Sequence, residues 1–97
     1  MTEAEPQFDT THPSGQIVFR SCRGGYLHSV VLGEDAVEAD SAALAAAVLL
    51  TAQASHLKAV MQIRREIVAA GFTPSADLPS PVDLADAESA LASHRLR

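Results

Sequence analysis

The fold of this chain is decided by the stretch at residues 16–32, QIVFRSCRGGYLHSVVL, and by the one at residues 41–70, SAALAAAVLLTAQASHLKAVMQIRREIVAA. In the first, apolar and polar side chains alternate on both sides of a turn around Gly24 and Gly25, which is typical of two antiparallel strands. The second contains no Gly or Pro and stops before Gly71, which predicts one long helix. The sequence therefore predicts an α+β fold, with a small antiparallel β-hairpin packed on a long α-helix and a short C-terminal helix.

The regions around this core predict the rest of the organisation. Residues 1–15 contain two prolines and several acids, which predicts a flexible N-terminal arm; its large apolar residue, Phe8, either pins the arm to the sheet or lies in an irregular edge strand. Residues 16–71 form the core of hairpin and long helix, and residues 72–79 form a linker. Residues 80–97 predict the C-terminal helix, because Ser80 is a good N-cap and Pro81 suits the first helical position.

The long helix is predicted to have two apolar faces. A broad stripe at helical spacing is predicted to face the hairpin: Leu44, Val48, Leu49, Ala52, His56, Ala59, Val60, Ile63, Ile67 and Ala70. A second line consists of Leu50, Leu57, Met61 and Val68. The helix is ~45 Å long, whereas a compact chain of this length is roughly 34 Å across. One hairpin cannot cover both faces, so the second line is predicted to be the interface of a homodimer or the contact surface for another partner.

Composition narrows the possible functions. The chain has 97 residues, 12 acidic and 7 basic, with a net charge of −5, which disfavours nonspecific binding to nucleic acid or to an anionic membrane. Its single cysteine, Cys22, cannot form an internal disulfide. The longest purely apolar run, residues 42–50, is shorter than the ~20 residues that a membrane span needs. The acidic start does not resemble a signal peptide, so we expect a cytoplasmic protein without membrane insertion.

The residues capable of chemistry are few and widely spaced. His12, Cys22 and His28 lack the close spacing of metal-ligand motifs. A cysteine in a strand is also more often a packing residue than a nucleophile, although His28 could act as its base. His56 is predicted to be a core or interface histidine with a local hydrogen-bond partner. The sequence therefore predicts a protein that is not an enzyme and has no metal or other cofactor.

Residues 8–61 are similar to the YbaB-like family of small dimeric proteins. The resemblance lies in the segment Ile17-Val18-Phe19, the glycine pair, the segment 27–32, the acidic loop that follows it and the alanine-rich helix. Within that family the chain resembles the EspH and EspD proteins of mycobacterial type VII (ESX) secretion systems, which carry a lead-in matching Thr11-His12-Pro13. YbaB-like proteins begin with a helix, which residues 1–15 do not predict.

The resemblance implies an accessory or chaperone-like role that involves binding client or component proteins of the secretion system, without catalysis. It also implies an alternative, since some YbaB-like proteins are nucleoid-associated dimers that bind DNA. Candidate DNA contacts are Lys58, Arg64 and Arg65 on the polar side of the long helix. With Arg95 and Arg97 of the C-terminal helix they make five cations on two separate helices. Opposed by 12 acids, these form a thin basic patch, so nucleic acid is the less favoured partner.

Overall fold

A computed structural model describes residues 8–23 and 26–96 of the chain and confirms the predicted α+β fold. The elements are β1 (Thr10–Thr11), β2 (Ile17–Ser21), β3 (Leu27–Leu32), α1 (Glu34–Val37), α2 (Ser41–Ala69) and α3 (Pro81–Ser93). The predicted turn glycines, Gly24 and Gly25, lie outside the described residues, as do residues 1–7 of the predicted arm and Arg97.

The three strands form one antiparallel sheet in the order β1–β2–β3. Strand β2 alternates as predicted: Ile17, Phe19 and Ser21 are buried, whereas Val18 is half-buried and Arg20 is exposed. This alternation directs one face of β2 towards the helix layer. The pairing of β2 with β3 shifts at positions 20 and 21, where consecutive β2 residues oppose β3 residues 29 and 27. The sheet therefore contains a bulge with His28 as the extra residue.

Helix α2 begins and ends where the sequence predicts. The Asp40 carboxylate accepts a hydrogen bond from Ala43 N (3.1 Å) and caps the first turn. At the other end Gly71 has φ = +90°, a conformation that favours glycine. The N–H groups of Gly71 and Phe72 donate to Val68 O and Ile67 O, both at 3.0 Å. These bonds satisfy the last helical carbonyls in a Schellman motif and end the helix sharply.

The helix packs through its small residues. Ala47, Thr51, Ala54 and Ser55 are fully buried, and α2 lies across β1 and β2. The predicted stripe of larger residues is confirmed in part. Leu44, Val48 and Ala52 pack against the core that contains Ile17 and Phe19, and Ala59 and Val60 are buried, whereas Leu49 and His56 are exposed. Small side chains let the helix backbone approach the sheet more closely than a row of leucines does, and close packing of this kind maximises van der Waals contact.

A buried chain of hydrogen bonds ties three segments together at this interface. Ser55 Oγ of α2 donates to Phe8 O (2.8 Å). Since its only proton is used there, Ser55 accepts from Ser21 Oγ of β2 (2.6 Å). Lys58 Nζ donates to Asp9 O (3.0 Å) one turn further along α2. These bonds fix the segment around Phe8 against both the helix and the sheet.

The part of the predicted flexible arm that the structure describes is packed. Phe8 is 1% exposed and His12 is buried, and Thr10 and Thr11 form the edge strand β1, paired with Phe19 and Val18. The prediction of a flexible arm is therefore wrong for residues 8–15. The two roles considered for Phe8 were to pin the arm to the sheet or to lie in an irregular edge strand. Both are close to the structure, because the Phe8 side chain is buried and the short edge strand β1 begins two residues later.

Helix α3 folds back against α2. The Asp83 carboxylate accepts from Ser80 N (2.7 Å) at its start, and Ala87 and Leu91 are buried, as the sequence predicts. Within this chain Leu57 and Met61 are only 5% and 6% exposed. The prediction that these two residues belong to an exposed line is therefore wrong, because the chain itself covers them.

The molecule is elongated along α2, with extents of 48 × 29 × 16 Å. By length and mean hydropathy α2 meets the minimum for a membrane span, which the sequence analysis did not anticipate. The most apolar stretch of the helix is 44% buried inside the chain. Since the core helix of a small domain has the same properties, its packing against the sheet and α3 accounts for its hydropathy.

We expect Ser55→Ala to lower the free energy of unfolding by about 1–3 kcal/mol, because the change leaves the buried Phe8 carbonyl and Ser21 hydroxyl without their partner. Urea denaturation followed by circular dichroism measures the loss. Gln53→Ala, at an exposed position of the same helix, is the control and should change stability by less than about 0.5 kcal/mol. Equal effects of the two substitutions would contradict the structural role of Ser55.

Candidate functional site

Strand β3 presents the most unusual surface of the described residues. Every residue from Leu27 to Leu32 is exposed except Ser29, which is half-buried. Four of these six residues are large and apolar: Leu27, Val30, Val31 and Leu32. Leu27 is 60% exposed and Val31 is 52% exposed. A strand at the edge of a sheet usually carries charged residues that prevent further pairing, and β3 has none.

The register explains why these side chains are uncovered. Val30 lies opposite Phe19 and Leu32 lies opposite Ile17, and directly opposed residues of an antiparallel pair point to the same face. Val30 and Leu32 therefore share the face that packs on α2. Because α2 lies over β1 and β2, the apolar side chains that β3 directs to this face remain in contact with solvent.

The backbone of β3 is also available for pairing. Gly33 N donates to Gln16 O (2.7 Å), and the pairing then alternates along the strand. The backbone N–H and C=O groups of Val31 consequently form hydrogen bonds with β2. The same groups of Val30 and Leu32 point away from β2. Within the described residues β3 has one neighbouring strand, β2. We call the strand from Leu27 to Leu32, with this free side, the β3 edge.

A second surface is an apolar groove between α2 and α3, with a volume of about 760 Å³. Its apolar lining consists of Phe8, Met61, Val68, Ala69, Pro81 and Leu84, and its polar lining consists of Lys58, Arg64 and Arg65. We call it the cationic groove. The three candidate DNA contacts are thus brought together, around one concave surface.

Two of these three cations already serve the fold. Lys58 holds Asp9 O, and Arg64 Nη1 donates to Pro79 O (3.2 Å) and lies 3.5 Å from Leu78 O. Arg65 contacts Gln62 through Nε and Nη2. Among residues 8–23 and 26–96, the ion pairs are Arg20 with Asp9 and Arg23 with Glu66. None of the groove cations therefore has a carboxylate partner in the described chain.

The predicted interface residues lie in different places. Leu57 and Met61 are buried, Leu50 is half-buried, and Val68 is 59% exposed at the end of the cationic groove. Of the exposed apolar surface that sequence reasoning assigned to α2, only Val68 is exposed, and a surface of four large apolar residues lies on β3. The signal for it was present in the sequence, since both faces of the second strand carry apolar residues, but the pattern did not indicate which face the helix covers.

The residues considered for chemistry do not form a reactive site in the described part of the chain. Cys22 is a buried free thiol, whereas His28 is exposed and contacts its neighbour Ser29 (3.1 Å). No group of three or more His, Cys, Asp or Glu residues arranged to hold a metal ion occurs within residues 8–23 and 26–96. His56, predicted in the core or an interface, is exposed on the chain surface.

His12 links the beginning of the fold to its end. Ser14 N donates to Nδ1 of His12 (3.0 Å), so this nitrogen carries no proton and the proton lies on Nε2. Nε2 then donates to Nδ1 of His94 (3.0 Å). Burial, followed by the proximity of His94 and Arg95, lowers the pKa of His12 below its ordinary value of 6.5. The ring is therefore held in its neutral form.

Comparison with known proteins places the chain in a family. A family model described as "Protein of unknown function (DUF2694)" matches residues 1–97. The chain belongs to the DUF2694 family. Two mycobacterial relatives are each 59% identical over 97 residues, which cover 100% of this chain and 96% of the relative: the uncharacterized protein Rv0028 of Mycobacterium tuberculosis (strain H37Rv) and the uncharacterized protein Mb0029 of Mycobacterium bovis. No solved structure matches this DUF2694 chain significantly.

The neutral state of His12 predicts acid sensitivity for this DUF2694 protein. Because its pKa is lower in the folded chain than in the unfolded chain, the folded state binds the proton less readily. The stability that the neutral ring contributes is present above pH 6.5 and is lost as the pH falls through the lowered pKa. Urea midpoints measured from pH 7.5 down to pH 5 should decrease. His28→Gln should retain this decrease and His12→Gln should reduce it; an unchanged decrease in His12→Gln would contradict the assignment.

Proposed function

We propose that this protein is a non-enzymatic protein-binding module with an accessory or chaperone-like role, and that the β3 edge receives its partner. The observation that carries the proposal is the combination of free backbone groups and exposed apolar side chains on one strand. Backbone hydrogen bonds to an added strand give affinity, and the alternating side chains give specificity. Leu27 and Val31, both more than half exposed, are the side chains with most area to bury.

We further propose that a second copy of the chain occupies the β3 edge, so that the protein is a homodimer. Antiparallel pairing of two β3 strands would join two three-stranded sheets and bury the same residues on each side. A fully buried valine or leucine contributes about 1.5–3 kcal/mol, so a few such residues from each chain supply a substantial driving force. Strand pairing would also satisfy the outward N–H and C=O groups of Val30 and Leu32.

The biological context that we propose is type VII secretion, in the cytoplasm of a mycobacterium. The support is the resemblance of residues 8–61 to EspH and EspD, together with the mycobacterial origin of the relatives. A dimer with apolar side chains beside α2 offers a surface on which a helical client can be shielded from water. The partners proposed are therefore client or component proteins of the secretion system.

DNA binding by a YbaB-like dimer is the alternative, and the geometry supports it less well. A protein that follows the phosphate backbone needs cations spread along a track. Lys58, Arg64 and Arg65 instead surround one groove, and two of them hold backbone carbonyls of their own chain. This arrangement suits a single anionic group better than a row of phosphates.

The homodimer predicts a mass near twice the 10.2 kDa of one chain in size-exclusion chromatography with light scattering. Val31→Lys should shift the protein towards the monomer, because a charge on the β3 edge must be desolvated when two strands pair. Val82→Lys, at an equally apolar and exposed position of α3, should leave the dimer intact. A monomeric wild-type protein at micromolar concentration would contradict the homodimer.

The protein-binding role predicts that the tagged protein co-purifies from mycobacterial cytosol with helical secretion substrates, identified by mass spectrometry. Val31→Lys should lose these proteins and Val82→Lys should keep them. Identical recoveries with both variants would show that pairing through the β3 edge is not required for client binding. Recovery of no protein partner, together with salt-sensitive retardation of duplex DNA in a gel, would favour the DNA-binding alternative.

A further inference from the structure

We propose that the cationic groove binds a monomeric, single-chain amphiphile with a carboxylate headgroup. None of its lining residues belongs to the β3 edge, so this site is separate from the protein-binding surface proposed above. The inference rests on the composition of the groove, on its size and on its cations, which have no carboxylate partner within residues 8–23 and 26–96.

The groove walls fit an apolar chain. Phe8 and Met61, both buried, and the exposed Val68 line one side, and Leu84 and Pro81 of α3 line the other. The volume of about 760 Å³ lies within the ~300–1,000 Å³ typical of sites for small organic ligands. A surface of this kind exposed to water is unfavourable, and an alkyl chain stabilises it by about 0.8 kcal/mol for each buried CH₂ group.

The charges fit one anionic headgroup. Among the residues that the structure describes, three cations and no carboxylate line the groove, in a protein whose net charge is −5. The guanidinium of Arg64 is held in place by Pro79 O, which leaves further N–H donors free. Arg65 is exposed and contacts only Gln62 among the described residues. Guanidinium groups bind carboxylates through paired, charge-assisted hydrogen bonds, so the arrangement is suited to a carboxylate.

The occupant is a monomer rather than a lipid surface because the apolar part of the site is concave. Phe8 and Met61 line the groove and are only 1% and 6% exposed. An amphiphile must leave its micelle or bilayer before its alkyl chain can reach these two residues. A bilayer surface, in contrast, would meet the exposed ends of Arg65 and Val68 without filling the space between α2 and α3.

The test uses dodecanoate as the probe, below its micelle concentration, with the full-length protein. Isothermal titration calorimetry should detect saturable binding, and the methyl signals of Met61 and Leu84 should shift in NMR spectra. Dodecanol, which has the same chain without the charge, should bind at least about tenfold more weakly, as expected for the loss of charge-assisted hydrogen bonds. Equal binding of dodecanol and dodecanoate would overturn the proposal.

Two substitutions locate the headgroup and the chain. Arg65→Gln should weaken dodecanoate binding about three- to tenfold, as expected for one exposed charge-assisted contact. Arg95→Gln, which removes an exposed charge outside the groove, should have no effect. Leu84→Asp should abolish binding, because it places an anion in the apolar wall. Circular dichroism verifies that each variant is folded, and equal weakening by Arg65→Gln and Arg95→Gln would overturn the assignment.

Other occupants give different results. Binding to anionic vesicles without binding of monomeric dodecanoate would overturn the proposal in favour of a membrane surface. Binding of dodecanoate by Glu3→Gln/Glu5→Gln but not by the wild-type chain would overturn it in favour of the chain's own acidic amino-terminal residues. Val31→Lys should bind dodecanoate as the wild type does. This result separates the groove from the proposed function, since the same variant is expected to lose the dimer.

Discussion

The close contact between α2 and the sheet is the constraint on which the rest of the structure depends. Ala47, Ala54 and Ser55 have little side chain beyond Cβ, and their burial brings the helix backbone near to β2. Ser21 and Ser55 are at most 2% exposed at this contact, so polar groups between the helix and the strand need partners within the protein. Ser55 satisfies this requirement by accepting from Ser21 and donating to Phe8 O, which is why the segment before β1 is part of the core.

The two candidate surfaces follow from the same contact. A helix about 10 Å wide that lies over β1 and β2 covers roughly two strands spaced ~4.8 Å apart, and β3 is the strand left over. Helix α3 packs on another side of α2, and the space between the two helices is filled only in part, by Met61 and Leu84. An apolar edge and an apolar groove are thus both consequences of placing one long helix on a narrow sheet.

Much of the fold could be predicted from the sequence because the ends of its helices are set by local chemistry. Asp40, Gly71 and Ser80 act within one turn of the helix that each of them delimits. The orientation of α2 could not be predicted in this way. A hydrophobic pattern alone favours turning the face with Leu49 and Ile63 towards the sheet. Close approach of the helix to the sheet favours the face with Ala54 and Ser55 instead, and how closely the helix can approach depends on the shape of the sheet. The candidate site on β3 was indicated in part, because both faces of the hairpin carry apolar residues and one is left for a second chain or the arm, but the sequence did not show that the uncovered residues follow the edge strand.

The hydrogen bond between His12 and His94 joins residues that are 82 positions apart in the chain. The turn between β1 and β2 and the end of the last helix are therefore neighbours within the described residues. Fraying at the end of α3 would consequently loosen the turn before β2 as well, although the two lie far apart in the sequence.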